Sequence, residues 1–423
     1  MKKLFILSTV LLLASCTSNN VALKQYQNLN NEETITKKYK NIIMFIGDGM
    51  GPNHVDAGGI YLGEPLTFDK TDENWAYHAY SNTDSLSSEG FTLDTSKSLL
   101  RPEENASLYD GTPSPYGDTN LGQSGVVTTY TDSAAGGSAL ACGEKFVNSQ
   151  IGLDIFGNPV ENLVEIAHGL GKKTGVVSSD NLVGATPSDF LVHVASRHMK
   201  EEIIEGVASS KADLVLTQIE ETYKTNQSTY ESLFTSNGFD IAYDTNSLNK
   251  ESERILGLFP GVMALRDPRA PTLSELTAFS LDYLDNEEGF FLMVEGSNID
   301  KDSHANQTRE MMRELIGFNN AVKVAENWAS TRDDTLIVVT ADHETGGLYY
   351  DRNTATQETI LDDIKWLTQN HSRTRVDIAV RGDITAFVNK HEHNFSTLEG
   401  LPYWDNTDVF KLCAAYLGNS KYI

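Results

Sequence analysis

Cysteine is nearly absent from this sequence: three residues in 423, of which only Cys142 and Cys413 lie beyond position 16. A disulfide framework therefore does not hold the fold together, and the spacing leaves open whether those two meet. Basic residues are also short, with 33 Lys and Arg against 59 Asp and Glu and a formal net charge of −26. Such a surface repels phosphate backbones and anionic lipid headgroups, so nucleic acid and acidic membranes are not expected as partners. An anionic substrate would need bound cations to invert the field locally, because the chain as a whole does not. There is no internal repeat, which excludes a solenoid or propeller.

What is present is a globular composition, 39% apolar, enough to bury a large core as one large α/β domain or two smaller ones. Residues 1–15 carry two lysines, an apolar run from Leu4 to Leu13 and small residues before Cys16, the layout of a cleaved secretory signal peptide and not of a membrane span. Leu13-Ala-Ser-Cys16 resembles a bacterial lipobox. Export to the periplasm or cell surface, with a lipidated Cys16 as the membrane anchor, is therefore expected. Residues 16–40 are polar and Asn-rich, a flexible tether. The remainder, 41–423, reads as a single catalytic domain. A stretch near 71–124, rich in Ser, Asp, Thr, Gly and Pro, reads as a surface insertion in it.

Apolar runs rich in β-branched residues mark buried strands at Asn41-Ile-Ile-Met-Phe-Ile46, Thr174-Gly-Val-Val-Ser178, Leu214-Val-Leu216, Gly289-Phe-Phe-Leu-Met-Val294 and Thr335-Leu-Ile-Val-Val-Thr340. Helical periodicity covers about 160–170, and Met311, Leu315, Phe318, Val322, Ala325 and Trp328 share one helical face. This alternation predicts an α/β fold with a mostly parallel central sheet flanked by helices on both faces. Residues 222–285 read as short helices and loops without a motif.

Three of the strands run into acidic or histidine residues: Asp48 in a glycine turn, Glu295 followed by Asp300 and His304, and Asp342 with His343. Ends of parallel strands share one edge of a sheet, so these groups are expected to converge there. Asp300 and His304 stand four residues apart, on one face if a helical turn begins. Carboxylates mixed with imidazoles suit zinc, while Glu295 with a hydroxyl such as that of Thr186 suits magnesium. In Thr131-Asp-Ser-Ala-Ala-Gly-Gly-Ser-Ala-Leu140, Ser133 opens a run of small residues. A helix starting there would aim its free N–H groups at a phosphate, although such a serine is ordinarily no more than a cap.

These segments, together with Ala185-Thr-Pro187 and His193-Val-Ala-Ser-Arg197, resemble the alkaline phosphatases in order from about Asn41 to Gly382. The resemblance implies a phosphomonoesterase acting on phosphate monoesters through a phosphoserine on Ser133, with two zinc ions and one magnesium. One zinc would be held by Asp300, His304 and a later histidine, the second by Asp48, Asp342, His343 and Ser133. Magnesium would take Asp48, Thr186 and Glu295. Arg197 would clamp phosphate, Lys301 would reach it through water, and the chain would pair as a homodimer.

His371 matches the family's closing ligand segment, with His391 and His393 as a rival pair. Gly184 stands where many relatives carry Asp or His, which leaves the third metal's identity open. The insertion near 71–124 would form a lid or a dimer arm, and a reduced crown is expected near 345–370. A Cys/Ser-x-Pro-x-Arg signature is missing around Ser133, against a sulfatase. A phosphodiesterase of the same superfamily and a non-catalytic metal-binding surface lipoprotein remain as alternatives.

Overall fold

The computed structural model describes residues 39–72, 74–85, 130–262, 270–391, 396–398 and 401–422. The expected signal, Cys16, nearly all of the tether, most of the 71–124 insertion and His393 lie outside the described residues. Tyr39, at the end of the expected tether, is buried against Tyr416, with ring centroids 5.2 Å apart.

An eleven-stranded sheet organises the chain. Its spatial order is Ser396–Leu398, Leu401–Asp405, Tyr77–Asn82, Val376–Arg381, Thr335–Thr340, Asn41–Gly47, Phe290–Gly296, Lys173–Asn181, Leu214–Gln218, Arg254–Phe259 and Phe239–Ala242. The pairs from Thr335–Thr340 to Phe239–Ala242 are parallel, whereas Val376–Arg381 runs antiparallel to both of its neighbours. Side chains of Asn41–Gly47 alternate between two cores. Ile42, Met44 and Ile46 pack with the helices Ser133–Cys142 and Asn406–Leu417, while Ile43 and Phe45 pack with Leu273–Leu284 and Thr308–Ala329. Burial on both faces explains why the central strands read as unbroken apolar runs.

The expected mostly parallel sheet with helices on both faces is what forms. Two local expectations fail. Residues 222–285 add two strands, Phe239–Ala242 and Arg254–Phe259, and the 12-residue helix Leu273–Leu284. The short edge strand Phe239–Ala242 is four residues interrupted by Asp240, too short for an apolar run. Within the expected insertion, Tyr77–Asn82 is a strand of the main sheet whose burial alternates along its length. Cys142 and Cys413 are both buried and free.

Candidate active site and metal centre

Register places the site. Ile46 is level with Glu295 on one side and with Thr340 on the other, so Asp48, Glu295 and Asp342 emerge from three adjacent strand ends. Asp300 and His304 come next, on the helix Asn298–His304, one turn apart as their spacing requires. His371 arrives on a two-residue strand pairing with Glu344–Thr345. Gly49 sits at φ +73°, and a Cβ there would fall 2.9 Å from the Asp300 Cα, so the turn carrying Asp48 closes onto that helix only as glycine.

The helix Ser133–Cys142 begins at Ser133, and Asp132 caps it by accepting the Ala135 N–H at 3.0 Å. Its small residues allow close approach: a Cβ on Gly136 would lie 2.7 Å from the Asp342 carbonyl oxygen, and one on Gly137 2.1 Å from Asp189 Oδ2. Ser133 Oγ consequently stands 3.2 Å from His343 Nε2.

Two groups take shape around this hydroxyl. His343 Nε2 lies 3.4 Å from Asp48 Oδ1 and 3.3 Å from Asp342 Oδ2. In the second group Asp300 Oδ1 is 3.3 Å from His304 Nε2 and 3.5 Å from His371 Nε2, and the two imidazole nitrogens are 3.0 Å apart. Nδ1 of His371 faces the Thr131 carbonyl at 2.6 Å, and Nδ1 of His304 faces the carbonyl of Gln369. A carbonyl only accepts, so each neutral ring carries its proton on Nδ1 and turns a bare Nε2 lone pair toward Asp300. Lone pairs so arranged repel one another unless a cation lies between them. Oriented Nδ1–H donors of this kind are what metal-ligating imidazoles require.

Asp342 Oδ1 accepts from the N–H groups of Gly49 and His343 at 3.2 and 3.0 Å. Its Oδ2 makes no hydrogen bond, nor do the buried Asp48 Oδ1, Glu295 Oε1 and Thr186 Oγ1. Orphaned buried oxygens are costly, and bound divalent cations would satisfy them. The residues therefore fit bound cations.

Electrostatics agree. Burial, with Asp342, Asp300 and Glu295 nearby, pushes Asp48 well above the carboxylate range. Burial and Asp300 push Asp342 up to about 7, and burial and Asp180 push Glu295 up to about 8. Burial also opposes ionisation of Asp300, but His304 and His371, when protonated, outweigh it and hold that carboxyl low. Burial and His371 hold His343 well below the usual imidazole range. Without a cation, Asp48, Asp342 and Glu295 resist carrying their charge.

The other expected residues occupy the same edge. Thr186 lies in the short helix Ala185–Asp189 beside the serine helix, Arg197 Nη1 is 3.2 Å from Asp132 Oδ2, and Lys301 Nζ is 2.6 Å from Asp180 Oδ1. His391 ends the helix Thr385–His391 with its ring against Phe387. Sequence reasoning missed Thr345, whose hydroxyl donates to Asp300 Oδ1 at 2.5 Å and lies 3.3 Å from His343 Nδ1. It also missed Asp180, although that residue ends a parallel strand and the strand-end rule would have found it.

Fold and site together define the class: a doubly covered α/β protein with a helix-borne serine beside two candidate metal groups at the strand ends. The family pattern described as alkaline phosphatase matches residues 121–229 and 224–399. Alkaline phosphatase 4 of Bacillus subtilis is 30% identical over 82% of this chain and 70% of its own length. Among solved structures, Thermus thermophilus alkaline phosphatase is similar in fold at 19% identity, with a TM-score of 0.69 over 93% of this chain and 94% of that one. A His-to-Asp mutant of TAB5 alkaline phosphatase with Mg bound in its M3 site matches at 24% identity and a TM-score of 0.66, over 90% of this chain and 98% of that one. The chain belongs to the alkaline phosphatase family, a metal-dependent family of phosphate-ester hydrolases.

Proposed function

We propose that the chain hydrolyses phosphate monoesters through a phosphoserine on Ser133. The observation that carries the reading is the Ser133 hydroxyl at the open end of a helix, 3.2 Å from His343 Nε2, within the metal-fitting cluster. Asp48, Asp342 and His343 would hold one zinc, Asp300, His304 and His371 another, and Asp48, Thr186 and Glu295 a magnesium. Bound cations supply Lewis-acid charge that lowers hydroxyl and water pKa values and stabilises a leaving alkoxide.

Ser133 Oγ forms a bond to phosphorus as the ester P–O bond breaks, and the alcohol departs with the bonding pair and takes a proton. Water then cleaves the phosphoserine and releases inorganic phosphate. N–H groups at the helix start face the phosphoryl oxygens. Arg197, steadied by Asp132, offers two parallel donors to nonbridging oxygens. Lys301 adds positive charge beside Asp300, which favours a doubly charged monoester over a diester.

Residues 41–423 act as one catalytic domain in this reading, exported and anchored through a lipidated Cys16, and paired as a homodimer. The signal-like residues 1–15 and the lipobox resemblance support the address. The test compares p-nitrophenyl phosphate with bis-p-nitrophenyl phosphate, using wild type and Ser133→Ala. Monoester hydrolysis should dominate and fall by at least about 10³-fold in the variant. Preferential diester hydrolysis, or a fully active Ser133→Ala protein, would overturn it.

A further inference from the structure

Gly184 precedes Ala185-Thr186-Pro187 and has ordinary backbone angles, φ −56° and ψ 148°. Any residue could adopt them, so conformation does not demand glycine there. Space does: a Cβ at 184 would fall 2.5 Å from Asp180 Oδ2, 2.6 Å from its Cγ and 2.8 Å from its Cβ. The carboxyl group of Asp180 fills the volume over residue 184.

That carboxyl is held in place. Asp180 Oδ1 accepts from Lys301 Nζ at 2.6 Å and from the backbone N–H and side-chain amide of Asn181 at 2.7 and 3.1 Å. The backbone N–H of Asp180 donates to Ser178 Oγ at 2.7 Å, and the Ser178 hydroxyl donates to Glu295 Oε2. One short segment thus holds both Glu295 and Lys301. The other oxygen of Glu295, Oε1, and the buried Thr186 Oγ1 lack hydrogen-bond partners. Orphaned buried oxygens of this kind suit a hard, oxygen-preferring cation.

Lys301 sits close enough to Glu295 and Asp48 to interact with both charges. Left unbalanced, its ammonium would neutralise those carboxylates and repel a divalent cation at the same oxygens. We propose that Asp180 is a positioning residue, which draws the Lys301 ammonium aside and places a carboxylate over Gly184, so that Asp48, Thr186 and Glu295 retain a magnesium-class cation. Asp180 thereby supplies from four residues upstream the negative charge that position 184 does not. The inference rests on the metal-site reading of those three residues.

The experiment titrates MgCl2 into the zinc-loaded full chain by calorimetry and measures zinc content alongside. Asp180→Asn keeps the shape and removes the charge, and circular dichroism verifies its fold. Its magnesium affinity should fall at least about tenfold, as for loss of a group supporting metal ligands, with zinc content unchanged. Gly184→Asp alone should also weaken magnesium binding, because it collides with Asp180. In Asp180→Ala/Gly184→Asp the carboxylate is relocated and the collision removed, so affinity should return to within about threefold of wild type.

Wild-type affinity in Asp180→Asn or in Gly184→Asp would overturn the inference. A double variant no better than Asp180→Ala would do the same. The binding readout is independent of turnover. A wild-type chain that hydrolyses no monoester yet shows this magnesium pattern would defeat the proposed function and leave the role of Asp180 standing.

Discussion

Stripping the cations should make the protein lose stability as pH rises above neutrality, the reverse of what an imidazole-controlled site would do. In the cation-free fold Glu295 is raised to about 8 and Asp342 to about 7 by burial and neighbouring carboxylates, whereas unfolded carboxyls titrate near ~4. Between those values the folded state holds protons that the unfolded state has released, so stability falls with pH. Below about pH 6.5 the buried His343 and His54, both lowered, oppose that slope, because the unfolded imidazoles take up protons there. Above about pH 6.5 that opposition ends, which opens a window from there to about pH 8.

Each unit of pH costs about 1.4 kcal/mol per proton held. Glu295 then contributes about 2 kcal/mol across the window and Asp342 somewhat under 1, with Asp48 adding to them in the same direction. For a chain of this size roughly 2–3 kcal/mol corresponds to a fall of roughly 2–4 °C in melting temperature. Bound cations hold the same carboxylates ionised at every pH in the window, so the slope should shrink to what buried groups away from the cluster contribute, such as Asp377, raised to about 7 by burial. The assay is a melting series at pH 6.5, 7, 7.5 and 8, with EDTA and with zinc plus magnesium. A flat or rising melting temperature in EDTA, or the same downward slope with metals present, would refute the reasoning.

Arg197→Ala should weaken competitive inhibition by phosphate by about 10- to 100-fold, the loss of a bidentate charge-assisted contact, while zinc content stays at the wild-type level. Phosphate inhibition and elemental analysis check both halves. Gly137→Ala places a methyl 2.1 Å from Asp189 Oδ2, a buried carboxyl that also accepts from Ser138 Oγ at 2.7 Å. Something must shift under the serine helix, so a loss of about 1–3 kcal/mol is expected from denaturant melts, with kcat falling more than KM rises.

Much of the site is legible in the linear chain because parallel strands deliver their C-terminal residues and the adjoining loops to one edge. Asp48, Glu295 and Asp342 each come just after, or at the end of, an apolar run, and Asp300 and His304 carry a helical spacing. The run of small residues after Ser133 likewise announces a helix that something approaches closely. Periodicity was silent where burial was one-sided or the strand short, as at Tyr77–Asn82 and Phe239–Ala242, since alternation over a few residues is weak against a loop background.

The amino-acid order by itself determined the strand-and-helix alternation, the residues set at the strand ends and the absence of a disulfide framework, because these arise from local spacing and composition. Only the tertiary structure decided which way each imidazole faces, since the acceptors are the backbone carbonyls of Thr131 and Gln369, which any residue could supply. It alone brought Thr345 between Asp300 and His343, and the Asp180 carboxyl into the volume over Gly184. Those are contacts between segments far apart in sequence or across a turn, and no local pattern encodes them.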